Sequence, residues 1–194
     1  MRDRYRVPMS TTEAPETETG SRYLTLLREQ VGHELDAHQQ YIAIAVWFDA
    51  NDLPRLAAHF YRQSLEERNH AMMIVQYMLD RDIPVQIPGT SAVENDFYAV
   101  VEPLRLALAQ EKQVTEQIEA IFRAAREEGD AMGEQFMLWF LKEQVEEVAS
   151  ATTLLTVAER AGDNLFDLEN FVARETIGDG GDHTDAPETA GGAL

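Results

Sequence analysis

The sequence predicts an all-α protein: a four-helix bundle in up-down-down-up order, with a long crossover between the second and third helices and a short fifth helix at the end. Three observations predict it. The chain has 194 residues, 44% hydrophobic and 8% aromatic, enough for one domain with a sizeable core. Between residues 21 and 177 the prolines are confined to Pro54, Pro84, Pro88 and Pro103 and glycines are few, so helix stops fall in few places. Finally, four long segments carry apolar residues spaced alternately four and three apart, the seam of a bundle.

The first segment runs from about Ser21 to Ala50. The second starts at Asp52-Leu53-Pro54, with Asp as the expected cap and Pro in the first turn, and ends near Asp82 ahead of Pro84. The third runs from about Asp96 to Glu128, with Pro103 in an early turn. The fourth begins after Gly129-Asp130 and ends at Gly162, and the fifth spans Leu165 to Glu175 with Asp163 as its expected cap. The first two segments, and likewise the third and fourth, are joined by a few residues and form antiparallel hairpins. About fourteen residues join the second to the third, a reach of ~45 Å when extended. That matches the ~42 Å of a helix of about 28 residues, so the crossover runs the length of the bundle and the two helices it joins are parallel. Residues 1–20 and 178–194 are rich in Gly, Pro, Thr and acid, and are expected to be disordered extensions of a 21–177 domain.

Charge narrows the chemistry. Lys and Arg number 16 against 35 Asp and Glu, a formal charge of -19, and there is no cysteine. The first twenty residues carry three arginines against four acids, and 178–194 carry four acids and no base, which leaves -14 in the body. Such a balance repels nucleic acid and anionic membrane. The lack of cysteine excludes disulfides, zinc knuckles, iron-sulfur clusters and thiolate nucleophiles, so any metal must sit on oxygen and imidazole. The longest apolar run, Tyr41 to Phe48, is far below the ~20 residues of a membrane span. No apolar leader follows the N-terminal arginines, and the expected location is cytoplasmic.

The seams carry acids. They read Leu27, Val31, Glu34, His38, Tyr41, Ala45, Phe48 in the first helix and Leu56, Phe60, Gln63, Glu67, His70, Ile74, Tyr77 in the second. The third gives Leu104, Leu108, Glu111, Thr115, Ile118, Phe122, Ala125, and the fourth Met137, Phe140, Gln144, Glu147, Ala151, Leu154, Ala158. Each has a carboxylate near its middle, so four acids fall in one layer, and no seam supplies Lys or Arg. Four ionised carboxylates cannot share a dry core without a counter-charge. One acid on one seam is ordinarily a snorkelling or protonated side chain; four in register point to a pair of divalent cations, chiefly iron or manganese. One Glu from each of two helices, with Glu-x-x-His on the others, is the dimetal arrangement of such bundles. Here Glu34 and Glu111 are the single acids and Glu67-Arg68-Asn69-His70 is one Glu-x-x-His. The fourth helix offers Gln144-Val145-Glu146-Glu147 with no second His, so one metal is expected to be held less firmly.

Residues 21–175 resemble the prokaryotic non-haem ferritins, most closely the actinobacterial type called bacterioferritin B, through HELDAHQQY (33–41), EERNH (66–70), the QEK around Glu111 and FMLWFLKEQVEE (136–147). The resemblance implies a diiron centre in which Glu34, Glu67 and His70 hold one iron. Glu67, Glu111 and Glu147 hold the second, with Gln144 close by. Glu66, Glu143 and Glu146 match a third, inner site, and Tyr41 the tyrosine beside the centre, with electron donation and simple core packing both open for it. It further implies that two Fe(II) are oxidised by dioxygen or hydrogen peroxide and stored as a ferric mineral in a hollow homo-oligomer of 24 subunits. Haem is not expected: bacterioferritins bind it through a Met directly after the second-helix Glu, where this chain has Arg68, and they carry a second Glu-x-x-His. His38 is expected beside the centre rather than as a ligand, Glu134 near a threefold pore or as a helix-start acid, and the apolar fifth helix at fourfold contacts. The tail ending Gly-Gly-Ala-Leu suggests docking into a larger shell, with plain disorder favoured. His33 and His59 lie off the seams and receive no role. Two other readings stand beside this one: a dimetal oxidase or peroxidase without storage, and a non-catalytic interaction bundle.

Overall fold

A computed structural model describes residues 20–175 and 185–193. Its five helices are α1 (Arg22–Ala50), α2 (Pro54–Asp80), α3 (Val101–Glu128), α4 (Ala131–Ala161) and α5 (Leu165–Arg174). Among the described residues there is no strand.

Helix ends follow local chemistry in part. The Ser21 hydroxyl caps α1 by accepting the Leu24 N–H, and Asp130 caps α4 by accepting the Gly133 N–H. Gly129 closes α3 in the left-handed region at φ 73°. The expected cap of α2 is corrected: Asp52 is itself left-handed (φ 58°), and the N-cap position is Leu53, with no side-chain bond. The free N–H groups of Arg55 and Leu56 donate instead to the Glu169 carboxylate of α5, at 2.9 and 3.0 Å. Carboxylates suit a helix N-terminus whatever part of the chain supplies them. For α5 the cap is Asn164, not Asp163. The third helix starts at Val101, later than Asp96, because Glu102 reaches back to take the Tyr98 and Ala99 N–H groups.

The crossover from Arg81 to Val100 is clamped to α1. Asp36 accepts the Ser91 N–H and hydroxyl, Gln40 pairs with both backbone groups of Glu94, and the Trp47 indole donates to the Phe97 carbonyl. Contacts give the directions. Ser21 meets Glu128 and Tyr41 meets Glu111, so α1 opposes α3. Tyr23 meets Tyr77 and His38 meets Ser64, so α1 opposes α2; Arg105 meets Glu159 and Arg126 meets Glu134, so α3 opposes α4. The second and third helices are therefore parallel, in the up-down-down-up order.

The core is split by the carboxylate layer. One apolar half, around Leu27, Ile74, Ile118 and Phe140, lies toward the start of α1; the other, around Ile44, Phe48, Leu56 and Leu154, is closed by Leu168 and Val172 of α5. Each such side chain taken fully from water contributes roughly 1.5–3 kcal/mol. One close approach requires glycine: a Cβ on Gly133 would lie 2.7 Å from the buried Tyr23 ring.

The tail also departs from expectation. Residues 185–193 lie on α2, where the Ala190 N–H donates to the Met72 carbonyl at 3.1 Å, Ala190 is buried, and Ala186 packs on the first core half. Alanines let an extended chain approach a helix closely, and Gly191 and Gly192, both at positive φ, turn it. The expectation of disorder for 1–19, 176–184 and 194 falls outside the described residues. No described helix is long and apolar enough to cross a membrane.

Candidate metal centre

Glu34, Glu67, His70, Glu111 and Glu147 are each 3% exposed or less, drawn from all four long helices. Ligand atoms of Glu34, Glu67 and His70 lie within 4.8 Å of one another. His70 also belongs to a second cluster of the same tightness with Glu66 and Glu143, so its ring stands where the two meet. The edges of Trp139 and Phe140 hold that ring, with centroids 5.7 and 5.8 Å away. Among the described residues no lysine or arginine is buried.

The layer is electrostatically incomplete. Burial pushes Glu67 well above the usual carboxylate range, helped by the negative fields of Glu111 and Glu34. Glu147 is raised by burial and by Glu111, Glu66 and Glu67. Glu111 is raised from 4.5 to about 7, chiefly by burial, with the Tyr41 hydroxyl pulling the other way. Glu34 Oε2 and Glu111 Oε2 are buried acceptors with no partner. Cations would supply both the charge and the missing partners. Neutral donors hold the remaining oxygens: Gln30 donates to Glu34 Oε1 at 2.9 Å, the Tyr41 hydroxyl donates to Glu111 Oε1, and Gln63 donates to Glu66. Tyr41 is itself raised by burial and by Glu111, so the phenol stays protonated as a donor.

Most expected site residues converge, with differences. Glu111 and Glu147 face the layer but stand outside both tight clusters. Gln144 is buried, its amide oxygen accepting from the Thr115 hydroxyl. Glu146 is part-exposed and joins neither cluster, while Glu143 and Glu147 on the same helix are buried. His38 points its Nδ1 at the Ser64 carbonyl (2.6 Å). Glu134 pairs with Arg126. Two residues escape the sequence reading. Gln30 precedes Glu34 by one turn, and that spacing is the available signal. His59, off the seam, is nonetheless buried beside a small cavity that touches Tyr41 and Glu111.

Residues 24–161 match the ferritin family, described as a ferritin-like domain. The chain is 60% identical over 174 residues to "Ferritin BfrB" of Mycolicibacterium smegmatis, covering 90% of this chain and 96% of that protein. It is 54% identical over 186 residues to "Bacterioferritin BfrB" of Mycobacterium tuberculosis, covering 96% and 100%. With "Bacterial non-heme ferritin" of Staphylococcus aureus it shares 34% over 141 residues, 73% of this chain and 85% of that one. In fold it is similar to an open pore ferritin of Archaeoglobus fulgidus, with TM-score 0.76 and 22% identity over 81% of this chain and 98% of that one.

Proposed function

The chain belongs to the ferritin family, and from that membership and the buried Glu/His layer we propose that it stores iron, oxidising Fe(II) at a two-metal centre within each subunit. The observation that carries the reading is the Glu34–Glu67–His70 cluster, with ligand atoms within 4.8 Å, inside a layer where, among the described residues, no lysine or arginine is buried. Iron is the substrate and the cargo. Glu34, Glu67 and His70 hold the first ion; Glu67 bridges to a second held by Glu111 and Glu147, with neutral Gln144 beside it. Anionic oxygen ligands favour Fe(III) over Fe(II) and so promote oxidation. Two Fe(II) give two electrons to dioxygen, which takes up two protons and leaves as hydrogen peroxide; peroxide is itself an alternative oxidant. Fe(III) then passes by Glu66, His70 and Glu143, with Glu146 at the rim, to a mineral in the cavity of a 24-subunit cage. Tyr41 orients Glu111. Haem, nucleic acid and membrane have no part in this reading, and its setting is cytoplasmic.

Aerobic addition of Fe(II) to the purified protein tests it, with ferric absorbance and particle mass recorded together. Rapid oxidation and a mineral-filled particle are expected, and Glu67→Ala with His70→Ala should slow the first phase by about 100-fold. Oxidation by the double variant at the wild-type rate would refute the site, whereas a monomer retaining two irons would refute storage.

A further inference from the structure

We propose that the groove between α1, α3 and the crossover is a binding site for a hydrated divalent cation, Fe(II) in use, from which the metal centre is loaded. The loading rests on the ferroxidase reading above; the binding does not. A cavity of about 190 Å³ opens there, room for an ion together with bound water. His33, Asp36 and Gln40 line it from α1, Gln110, Gln113 and Gln117 line it from α3, and residues 91–93 of the crossover close it. On each helix these positions are three and four apart, so each contributes one polar stripe.

The lining selects a cation. The side-chain oxygens of Gln110 and Gln117 are buried acceptors with no partner, a state that costs roughly 1–3 kcal/mol for each group. Asp36 adds a carboxylate, held in place because it accepts the Ser91 N–H at 2.6 Å and the Ser91 hydroxyl at 2.9 Å. Among the described residues no lysine or arginine lines the cavity. An anion would therefore meet amide and carboxylate oxygens with nothing to neutralise it, and an apolar molecule would leave both amide oxygens unpaired. A divalent ion answers both conditions, since its bound waters donate to the amide oxygens and its charge suits Asp36. Neutral amide oxygens hold such an ion weakly and release it readily.

The groove leads to the centre. A second cavity, of about 280 Å³, shares His33, Gln113 and Gln117 with the first. Glu29 and Glu116 stand on its wall and raise the local concentration of cations, and Gln30 lines it too. Gln30 is 1% exposed and donates to Glu34 Oε1 at 2.9 Å, while Glu34 Oε2 has no partner. One side chain thus links the groove to a ligand of the first metal. Gln30 is the positioning residue of this path: its amide holds Glu34 until an ion takes its place. The cavity beside Glu66 and His70 is lined instead by α2, α4 and the tail, so ions enter and leave the bundle by different faces.

The experiment uses the assembled full-length protein with Mn(II) as the probe. Anomalous diffraction from Mn(II)-soaked crystals should show a peak between Gln110 and Gln117 in the wild type. Gln110→Leu with Gln117→Leu should lose that peak and keep the one at Glu34, Glu67 and His70. Gln110→Glu with Gln117→Glu, nearly the same in shape but more negative, should bind Mn(II) in the groove about tenfold more tightly by titration. In Fe(II) oxidation the leucine pair should need about fivefold more iron for half-maximal rate, with the rate at saturating iron unchanged. No groove peak in the wild type, or an unmoved iron dependence once the peak is lost, would overturn the proposal. Should the leucine pair fail to assemble, the glutamate pair decides, and an unmoved Mn(II) affinity overturns it. A wild type with a groove peak but no metal at Glu34, Glu67 and His70 would instead overturn the ferroxidase reading.

Discussion

Replacing Glu111 by Gln should make the metal-free protein more stable at pH 8 and no more stable at pH 4.5. Burial is the main cause that raises the Glu111 carboxyl from 4.5 to about 7. A raised folded value means that the folded state holds its proton more tightly than the unfolded chain does. Ionised Glu111 therefore costs nothing below pH 4.5, costs progressively more as pH rises toward 7, and costs its full amount above 7. At 1.36 kcal/mol per pH unit, that full amount is on the order of 3 kcal/mol. The substituted glutamine would carry no charge, and its amide oxygen can still accept the Tyr41 hydroxyl, so the change isolates the charge. For a chain of this size the gain corresponds to a rise in Tm of about 6–12 °C. The assay is thermal unfolding of chelator-treated wild type and Glu111→Gln at matched concentrations from pH 4.5 to 8.5. Cobalt(II) should reverse the order at pH 8, stabilising the wild type by mass action and the variant far less. Equal destabilisation of the variant at both ends of the pH range, with no crossover, would refute the electrostatic reasoning.

Tyr41→Phe removes the hydrogen bond that lowers the Glu111 carboxyl, so protons should compete with metal to higher pH; the midpoint of cobalt binding against pH should move upward, and an unmoved midpoint would contradict the Tyr41–Glu111 contact. Gly133→Ala drives a methyl to within 2.7 Å of the Tyr23 ring, and overpacking of that kind costs about 1–3 kcal/mol, measurable by denaturant unfolding with iron oxidation unchanged. Glu169→Ala leaves the Arg55 and Leu56 N–H groups without their acceptor; a loss of about 1 kcal/mol is expected, together with faster amide exchange at the start of α2.

Much of the fold is legible in the sequence because helical periodicity is local. Spacings of four and three put Leu27, Glu34, Tyr41 and Phe48 on one stripe, and all four are buried. Placing the acids in one layer needs only helix lengths and the near-equal positions of the residues along them. The absence of cysteine and of core bases narrows the candidate ligands to oxygen and imidazole on composition alone. The cap of α2 and the start of α3 are not legible, since Glu169 reaches its helix from more than a hundred residues away and Glu102 reaches back against the chain. The tail is not legible either, because composition counts polar residues but not the fit of two alanines against a helix.

By itself, then, the sequence determined the four amphipathic helices, their directions and the chemistry of the layer between the two core halves. The tertiary structure decided what depends on helix rotation and axial offset: that Tyr41 meets Glu111, that Glu34, Glu67 and His70 close into one cluster while Glu146 stays outside it, and that Ala107 and Ala151 line a small gap beside Tyr41 and Glu111. Spacing along one helix fixes which residues share a face; only packing between helices fixes which faces touch.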